Sequence, residues 1–261
     1  MTAEHPTFNT AVAHQARIAD YLLGGQDNFA ADRKAAEAMI EAYPTMVELM
    51  RANRAFLRRS VRFLAGEAGI RQFLDIGTGI PTAGNTHEVA QEIAPDCRVV
   101  YVDYDQVVLA HARALLTSTP QGATDYVDAD LRDVTKVLTG AAKTLDFAEP
   151  VAVTILMTLH AIPDEDDPHA IVAQFMDVLP PGSYLSISHP ASDIEPEKAA
   201  EIVSRLRPLS YQQYTGRTRA QVLRFFDGME LVAPGLVQVQ QWRPASEVND
   251  IFSVWAGVAR Q

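Results

Sequence analysis

The sequence predicts an α/β fold in which a doubly wound, mostly parallel sheet follows a helical N-terminal extension. From Phe73 onward, apolar runs of strand length alternate with segments of helical periodicity, a pattern typical of this class. The runs are almost entirely apolar, as expected for strands that helices cover on both faces. Before Phe73 the periodicity is helical.

Composition places the chain among globular proteins with a substantial core. It has 261 residues, of which 48% are hydrophobic, and a formal net charge of −11. This charge argues against nucleic acid as a partner, because binding to phosphates needs clustered Lys and Arg. The longest apolar run, PVAVTILMTLHAI, is shorter than the roughly 20 residues of a membrane-spanning helix, and MTAEHPTFNTAVAHQ lacks a signal-peptide core. We therefore expect a cytoplasmic protein with no membrane partner.

Three helices are predicted before the first strand. The segments ARIADYLL and AADRKAAEAMIEA have helical periodicity, and a third helix follows Pro44. In the third helix apolar residues recur from Met46 to Leu64, so the arginines of RANRAFLRRSVR should mostly lie on the opposite, solvated face. We expect residues 1–66 to form a helical extension or lid and residues 67–261 the core, within one structural domain overall.

The strands of the core are predicted in two groups. The first group consists of the runs FLDIG, RVVYVD, TDYVDA, VAVTILM and SYLSIS. After a helical segment, RTRAQVLRFF, the runs LVQVQQW and IFSVWAGVA form the second group. These two are close enough in sequence to pair antiparallel.

The first strand leads into a glycine-rich turn, in FLDIGTGIPTAGNTHEVAQ. Gly77 and Gly79 lie where the backbone must turn sharply and let a ligand approach, and the next helix should offer free N–H groups to an anion. A dinucleotide-binding turn has a third glycine where this chain has Thr82. Asp75, at the strand end, would repel a pyrophosphate but hold a cationic amino group. Both departures disfavour a nicotinamide oxidoreductase.

Acidic residues also follow the next two strands. Asp103 ends RVVYVD, where an acid accepts hydrogen bonds from the ribose hydroxyls of an adenosine cofactor. Asp128 and Asp130 follow the third strand, where the exocyclic amine of adenine could donate to them, although both could instead be solvated surface acids. Together with Asp75 and the two glycines, the order and spacing of these acids indicate a site for S-adenosylmethionine.

Segments spread over almost the whole chain resemble one known family. They are ARIADYLLGGQDNFAADR, RQFLDIGTGIPTAGNTHEVAQ, VVYVDYDQVVLAHARALL, YVDADLRD, LHAIPDEDDP and RFFDGMELVAPGLVQVQQWRP. The chain resembles the S-adenosyl methyltransferase family of actinobacteria, formerly described as a domain of unknown function, and the first and last segments are specific to that family. The resemblance implies a Rossmann-like SAM-dependent methyltransferase fold whose seven-stranded, mostly parallel sheet has an antiparallel last strand.

The same resemblance implies where the cofactor lies. The two glycines should line the methionine moiety, the acid that ends the second strand should hold the ribose, and Asp130 with Leu131 should border the adenine. The residues expected in this part of the site are Asp75, Gly77, Thr78, Gly79, Asp103, Tyr104, Asp130 and Leu131. The family leaves the methyl acceptor open, and we expect a small molecule.

Two histidines are candidates for contact with the acceptor. His160 and His189 stand at strand ends that should face the cofactor, although a histidine in a loop is more often structural or merely exposed. A methyl group on a sulfonium is already activated, so the protein has mainly to align a nucleophile and exclude water, and general-base help is optional.

The segment YLLGGQDNFAADR has two interpretations. Gly24 and Gly25 interrupt a helical run, and Asp27 or Asn28 could cap the helix that follows. The segment is either an ordinary helix–turn–helix or a lid that brings Tyr21, Gly25 and Asn28 close to the methyl donor or acceptor. In the second case Tyr21 joins the catalytic candidates and the other two join the cofactor site.

We expect no metal. The acidic run from Asp164 has the oxygen ligands that Mg²⁺ prefers, but it stands before Pro168 and an apolar helix, where acids commonly cap a helix. The lone Cys97 has no partner for a disulfide or a zinc site and is expected to be buried. Two function classes remain, a methyltransferase for small molecules and a non-catalytic sensor or accessory protein that binds S-adenosylmethionine or S-adenosylhomocysteine.

Overall fold

The computed structural model describes residues 9–115, 117–209, 214–246 and 248–261. The helices are α1 (Gln15–Leu22), α2 (Ala30–Ala42), α3 (Met46–Arg62), α4 (Thr86–Ile93), α5 (Gln106–Leu115), α6 (Val134–Ala141), α7 (Pro168–Asp177), α8 (Pro196–Leu206) and α9 (Arg219–Leu223). The strands are β1 (Gln72–Ile76), β2 (Arg98–Asp103), β3 (Ala123–Asp128), β4 (Ala152–Leu156), β5 (Tyr184–Pro190), β6 (Glu230–Leu231), β7 (Val237–Gln238) and β8 (Val254–Arg260). Within these ranges, the helices are too short or too polar to cross a membrane.

The strands form one sheet in the order β3-β2-β1-β4-β5-β8-β6, and β7 also pairs with β8. Strands β1 to β5 are parallel, whereas β8 runs antiparallel to β5, with Ile187 opposite Gly257. The predicted fold class, a mostly parallel sheet with an antiparallel last strand, is confirmed. The strand order reverses between β1 and β4, and ligands of open α/β sheets bind at such a reversal, outside the carboxyl ends of the strands.

The sheet has eight strands in the described ranges rather than seven, because two short strands replace one predicted strand. The run LVQVQQW contributes only β7, whose Val237 pairs with Ala256, and then enters a 3₁₀ turn. Val239 and Trp242 are both buried, and Arg59 donates to their carbonyl oxygens at 2.7 Å each. These contacts hold the backbone out of the sheet after two residues.

Alternate residues of each strand pack into two apolar clusters, one on each face of the sheet. Phe73 and Val99 belong to a cluster that also holds buried residues of α1, α2, α3, α4 and α8. Leu74 and Val100 belong to the cluster that holds residues of α6, α7 and α9. Burial on both faces explains why the strands are apolar at almost every position.

The N-terminal helices bury their apolar faces against the sheet. Ile18 of α1 and Phe56 of α3 lie in the same cluster as Phe73 of β1. The expected boundary after residue 66 falls within a π-helical turn, Phe63–Glu67, that continues α3. The division into an extension of residues 1–66 and a core of residues 67–261 stays a prediction.

The inward stripe of α3 is confirmed, but two of its arginines are not on the solvated face. Arg51, Arg58 and Arg62 are exposed as predicted, whereas Arg54 and Arg59 are only partly accessible. Arg59 holds the C-terminal segment described above, and Arg54 donates to the carbonyl oxygens of the loop after β1. The long guanidinium side chain can reach around the helix to such acceptors, which spacing alone does not reveal.

Candidate active site

The turn after β1 is tight because two glycines adopt a left-handed backbone. Gly77 has a φ of +72° and Gly79 a φ of +67°, values that cost other residues about 1–2 kcal/mol. A Cβ atom at Gly77 would overlap the side chain of Thr158, which follows β4. A Cβ at Gly79 would meet nothing closer than the Cβ of Ala16, at 3.9 Å. Gly77 therefore permits the close approach of two loops, whereas a Cβ at Gly79 would only reach van der Waals contact with Ala16.

Asp75 and the start of α4 are held by contacts within the chain. The buried Asp75 carboxylate accepts a hydrogen bond from the Thr86 hydroxyl at 2.5 Å. Burial raises the pKa of this carboxyl, and the Thr86 hydrogen bond and the charge of Arg54 oppose the rise. In the first turn of α4, the N–H of His87 donates to the Tyr101 hydroxyl at 2.9 Å. This N–H is therefore not free to bind an anion, contrary to what was expected of the helix end.

Asp103 fixes the glycine turn from the end of β2. Its Oδ2 accepts from the N–H of Gly79 and its Oδ1 from the N–H of Asp105, each at 3.0 Å. Burial raises the pKa of the Asp103 carboxyl. Each carboxylate oxygen can accept a second hydrogen bond, so the group can still bind a ligand hydroxyl.

The residues after β3 are ordered by an arginine. Arg132 binds Asp130 with two nitrogens, Nη2 at 2.6 Å from Oδ2 and Nε at 3.0 Å from Oδ1. Burial would raise the pKa of the Asp130 carboxyl, but the hydrogen bonds from Arg132 lower it below its usual range. Leu131 is buried beside it. Asp128 is instead exposed and accepts from Gln106, so it is one of the solvated acids considered above.

A cavity of about 1000 Å³, the main cavity, lies over the carboxyl ends of β1, β2 and β4. Its volume is at the upper end of the range for small-molecule sites. The predicted site residues in its wall are Asp75, Gly77, Thr78, Gly79, Asp103, Tyr104, Asp130, Leu131 and His160. Four other predicted site residues, Tyr21, Gly25, Asn28 and His189, are not part of the wall.

His160 is a buried histidine in the wall of the main cavity. Its ring packs edge-on against Tyr214 with the centroids 4.8 Å apart. The Nδ1 atom is buried and has no hydrogen-bond partner among the described residues. Burial, with help from the charge of Arg217, lowers the pKa of His160 to about 3, so the ring is neutral at physiological pH.

The candidate role of His189 is corrected by its surroundings. His189 is fully buried, its Nδ1 lies 2.9 Å from the carbonyl oxygen of Pro190, and its Nε2 lies 2.8 Å from Nη1 of Arg217. Because both ring nitrogens are used inside the core, this histidine has no group to offer an acceptor. Arg217 also donates to the carbonyl oxygens of Leu159 and Ile162, on either side of His160. His189 thus belongs to the support of that loop.

The N-terminal segment reaches the main cavity, but with other residues than predicted. The Tyr21 hydroxyl is turned toward Glu37, 3.4 Å away, and so is not a catalytic candidate. A Cβ atom at Gly25 would overlap the Asp20 carboxylate, and Asn28 Nδ2 donates to Asp20 Oδ2 at 2.8 Å. Gly25 and Asn28 therefore hold Asp20, which is itself in the cavity wall.

The cap of α2 also differs from the prediction. The Asn28 side chain donates a hydrogen bond to the Asp20 carboxylate, and the backbone N–H of Asp27 donates to the same carboxylate at 2.9 Å. Asp32 performs the capping instead, because its Oδ2 accepts from the N–H of Phe29 at 2.8 Å. An acid in the first turn that reaches back in this way has the same effect as the second half of a capping box.

Sequence reasoning missed several residues of the cavity wall. His14 precedes α1 and its Nδ1 lies 2.8 Å from Oδ2 of Asp105, while Arg54 and Asn53 enter from α3. Met157 has a left-handed backbone, with a φ of +49°. A histidine before a helix and a methionine after a strand carry no distinctive pattern, so only the backbone strain at Met157 marks it as unusual.

The acidic run after β4 is used for structure. Asp167 caps α7 by accepting from the N–H of Ala170 at 3.2 Å, as predicted. Asp164 pairs with Arg217 at 2.7 Å and Asp166 with Arg132 at 3.1 Å. In the described part of the chain, three or more His, Cys, Asp or Glu residues do not converge on a metal site.

Comparison with known proteins identifies relatives along the full length. The family model described as S-adenosyl methyltransferase matches residues 1–261. A DUF574 family protein from Streptomyces avermitilis is 44% identical with a TM-score of 0.93, over 97% of this chain and 98% of that chain. A Thermobifida fusca protein whose assignment as a methyltransferase is provisional is 38% identical with a TM-score of 0.90, over 100% and 99%. The curated proteins contain no match.

A more distant structure shares the fold alone. Human N-acetylserotonin methyltransferase, solved in complex with SAM, is 14% identical with a TM-score of 0.52, over 88% of this chain and 57% of that chain. At this identity the likeness concerns the arrangement of helices and strands.

Proposed function

Because the chain belongs to the S-adenosyl methyltransferase family, we propose that it transfers the methyl group of S-adenosylmethionine to a small-molecule acceptor in the main cavity. Family membership confirms the cofactor predicted from the sequence. The observation that carries the proposal is the meeting of Asp103, the glycine turn and His160 in the wall of one cavity. Acceptors of small size suit a cavity enclosed by α1, α3 and three strand ends.

The residues of the wall fit the parts of the cofactor. Asp103 retains acceptor capacity for ribose hydroxyls, and Gly79 lies in the cavity wall, where the methionine moiety would pass. Leu131 supplies an apolar surface for adenine, and Asp130 is oriented by Arg132 at the same edge. Asp75 lies near the turn in the wall of the main cavity, although its carboxylate is also bound by Thr86.

The chemistry places modest demands on the chain. When bound, the cofactor supplies a methyl group on a cationic sulfonium. A lone pair of the acceptor would form the new bond to carbon, the S–C electron pair would stay on sulfur, and the proton of the acceptor would pass to solvent. The residues around the cavity have to align the acceptor and exclude water, which are the larger contributions to such a transfer.

His160 is the residue best placed to position the acceptor. Its ring is neutral, and a neutral imidazole can accept a hydrogen bond from an acceptor O–H or N–H. The pKa of about 3 makes it a weak base, so we assign it hydrogen bonding to the acceptor rather than full proton removal.

The segment from Arg17 to Arg33 acts as a lid in this proposal. Arg17 and Asp20 of α1 are in the cavity wall, and Gly25 and Asn28 hold the Asp20 carboxylate. Gly24 and Gly25 lie between α1 and α2, where Gly24 has a φ of +86° that favours glycine and Gly25 leaves room for the Asp20 carboxylate. Closure of such a lid would exclude water from the sulfonium.

Ligand binding tests the cofactor half of the proposal. S-adenosylhomocysteine at 100 times its dissociation constant should add about 2.7 kcal/mol to the free energy of unfolding, measured by chemical denaturation. NAD at the same concentration should add nothing measurable. Stabilisation by NAD in place of S-adenosylhomocysteine would contradict the proposal.

A further inference from the structure

A second, smaller cavity opens beside the main one. This apolar chamber has a volume of about 340 Å³ and lies among α2, α3, α8 and the segments that follow β4 and β5. Met39, Met50, Met157 and Tyr214 are in the walls of both cavities. The chamber is therefore adjacent to the main cavity, and Tyr214, which packs against His160, lies between the two.

The walls of the chamber are apolar and uncharged. Among the described residues that line it, none has a charged side chain, and four are methionines, at positions 39, 46, 50 and 157. Methionine is flexible and polarisable, and its sulfur packs favourably against aromatic rings. An uncharged wall of this kind gives no compensation for the desolvation of an ionic ligand.

Two hydroxyl groups of the chamber wall are already hydrogen-bonded to one carboxylate. The Tyr43 hydroxyl donates to Glu195 Oε2 at 2.7 Å, and the Ser253 hydroxyl donates to the same oxygen at 2.8 Å. Glu195 itself is not in the chamber wall. The Tyr43 hydroxyl is thus hydrogen-bonded to Glu195, and its aromatic ring is the part of Tyr43 that can contact a ligand in the chamber.

The backbone between the two cavities is held in a strained form. Met157 has a φ of +49°, and its N–H donates to Ser188. Ser188 in turn donates to Asn53 Oδ1 at 2.7 Å, and both groups are buried. A methionine fixed in a left-handed conformation by neighbours on β5 and α3 is a costly arrangement, typical of a site that shapes a ligand.

We propose that the apolar chamber binds the body of the methyl acceptor while its reactive group reaches into the main cavity, and that this acceptor is an uncharged, mainly apolar small molecule with an aromatic ring. This inference rests on the proposed methyl transfer. The ring would lie among the methionines, and the reactive O–H or N–H would point past Tyr214 toward His160. The volume suits one small molecule rather than a peptide or nucleic acid.

The test uses two probes with the same ring system. N-phenyl-1-naphthylamine is uncharged, and 8-anilinonaphthalene-1-sulfonate is its anionic relative, and both fluoresce in apolar sites. Titrations are run on the full chain with saturating S-adenosylhomocysteine, so that the cofactor part of the main cavity is blocked. We expect the uncharged probe to bind at least tenfold more tightly.

Two neighbouring positions of α8 provide the matched variants. Val203 is in the chamber wall, whereas Ser204 is exposed and outside it. Val203→Trp should weaken probe binding at least tenfold, and Ser204→Trp should leave it unchanged. Ala199→Phe, which also fills the chamber, serves if Val203→Trp does not fold.

Parallel calorimetry with S-adenosylhomocysteine separates this inference from the proposed function. All three variants should bind S-adenosylhomocysteine with the affinity of the wild type, because these residues do not line the main cavity. Two results, each with normal cofactor binding, would overturn the chamber proposal alone. One is a probe affinity that neither filling substitution changes, and the other is tighter binding of the anionic probe than of the uncharged one. Failure of the wild type to bind S-adenosylhomocysteine would overturn the proposed function instead.

Discussion

The Nδ1 atom of His14 lies 2.8 Å from the Oδ2 atom of Asp105, and this contact joins the start of α1 to the loop after β2. Burial would raise the pKa of the Asp105 carboxyl, but the hydrogen bond and charge of His14 lower it. An unfolded aspartate has a pKa of about 3.9, so the contribution of this contact to stability is present above that pH. It is lost as the pH falls through the lowered pKa.

We predict that Asp105→Asn loosens α1. The substitution removes the charge that faces His14 and, at 3.9 Å, Arg17, so the amides of α1 should exchange with deuterium faster. Asp27→Asn is the matched control, because Asp27 contacts His111 at 3.0 Å but is 46% exposed. Exposed pairs contribute about 0–1 kcal/mol, so this control should change exchange little. Equal exchange in both variants would argue against a lid held at Asp105.

Asp103→Ala should weaken S-adenosylhomocysteine binding by about ten- to a hundredfold in calorimetry. The reason is that hydrogen bonds to a charged group contribute about 1.5–3 kcal/mol. Asp128→Ala removes a carboxylate from the end of the neighbouring strand but outside the main cavity, and should leave affinity unchanged. If the two variants bind alike, the ribose site is elsewhere, with Asp105 the first residue to examine.

Gly77→Ala should destabilise the protein more than Gly69→Ala. Both glycines have a φ of +72°, so both substitutions carry the cost of a left-handed alanine, about 1–2 kcal/mol. Only at Gly77 does the new Cβ overlap Thr158, and overpacking of this kind costs about 1–3 kcal/mol more. Urea denaturation measures both values. Equal losses would show that the loops after β1 and β4 adjust without cost.

His160→Ala should mainly slow methyl transfer, whereas His189→Ala should mainly lower the free energy of unfolding. Both remove a buried ring, but only the second leaves the Arg217 N–H without its histidine partner, at a further cost of about 1–3 kcal/mol in unfolding free energy. His160→Ala should instead slow methyl transfer while S-adenosylhomocysteine still binds. The assignment of His160 fails if its loss leaves transfer unchanged.

The pH dependence of stability provides a further check on His160. Its folded pKa of about 3 lies below the unfolded value of about 6.5, so the unfolded chain binds the proton first. The contribution of neutral His160 to the free energy of unfolding is therefore fully present above pH 6.5 and decreases as the pH falls toward 3. His160→Gln should reduce the slope of unfolding free energy against pH near pH 5. An unchanged slope would mean that folding does not lower the pKa of His160, so that the ring is already protonated at pH 5 in the folded protein.

Periodicity was sufficient for strands β1 to β5 and for the residues fixed by the ends of β1 to β4. The strands bury both faces, so their apolar runs are visible in the sequence, and the residues just after β1, β2 and β3 necessarily meet at one edge. His160 was found in the same way. The same argument was wrong for His189, because β5 continues to Pro190 and keeps this ring inside the core.

Contacts across long distances in sequence were not predictable. The glycines of the N-terminal segment predicted that it helps to form the site. Gly25 instead leaves room for the Asp20 carboxylate, and Asn28 donates a hydrogen bond to it. The approach of His14 to Asp105 depends on how α1 packs, and a sequence pattern does not record this. The inward reach of Arg54 has the same cause, since a long side chain on a solvated face can bend toward distant carbonyl oxygens.

The central claim is methyl transfer to a small molecule, and one measurement tests it most directly. The protein is incubated with S-adenosylmethionine labelled in the methyl group and a bacterial cell extract, and the products are separated into low-mass and macromolecular fractions. We expect formation of S-adenosylhomocysteine and label in a low-mass, apolar product, both reduced by Asp103→Ala. Binding of S-adenosylhomocysteine without its formation, or label only in the macromolecular fraction, would contradict the account.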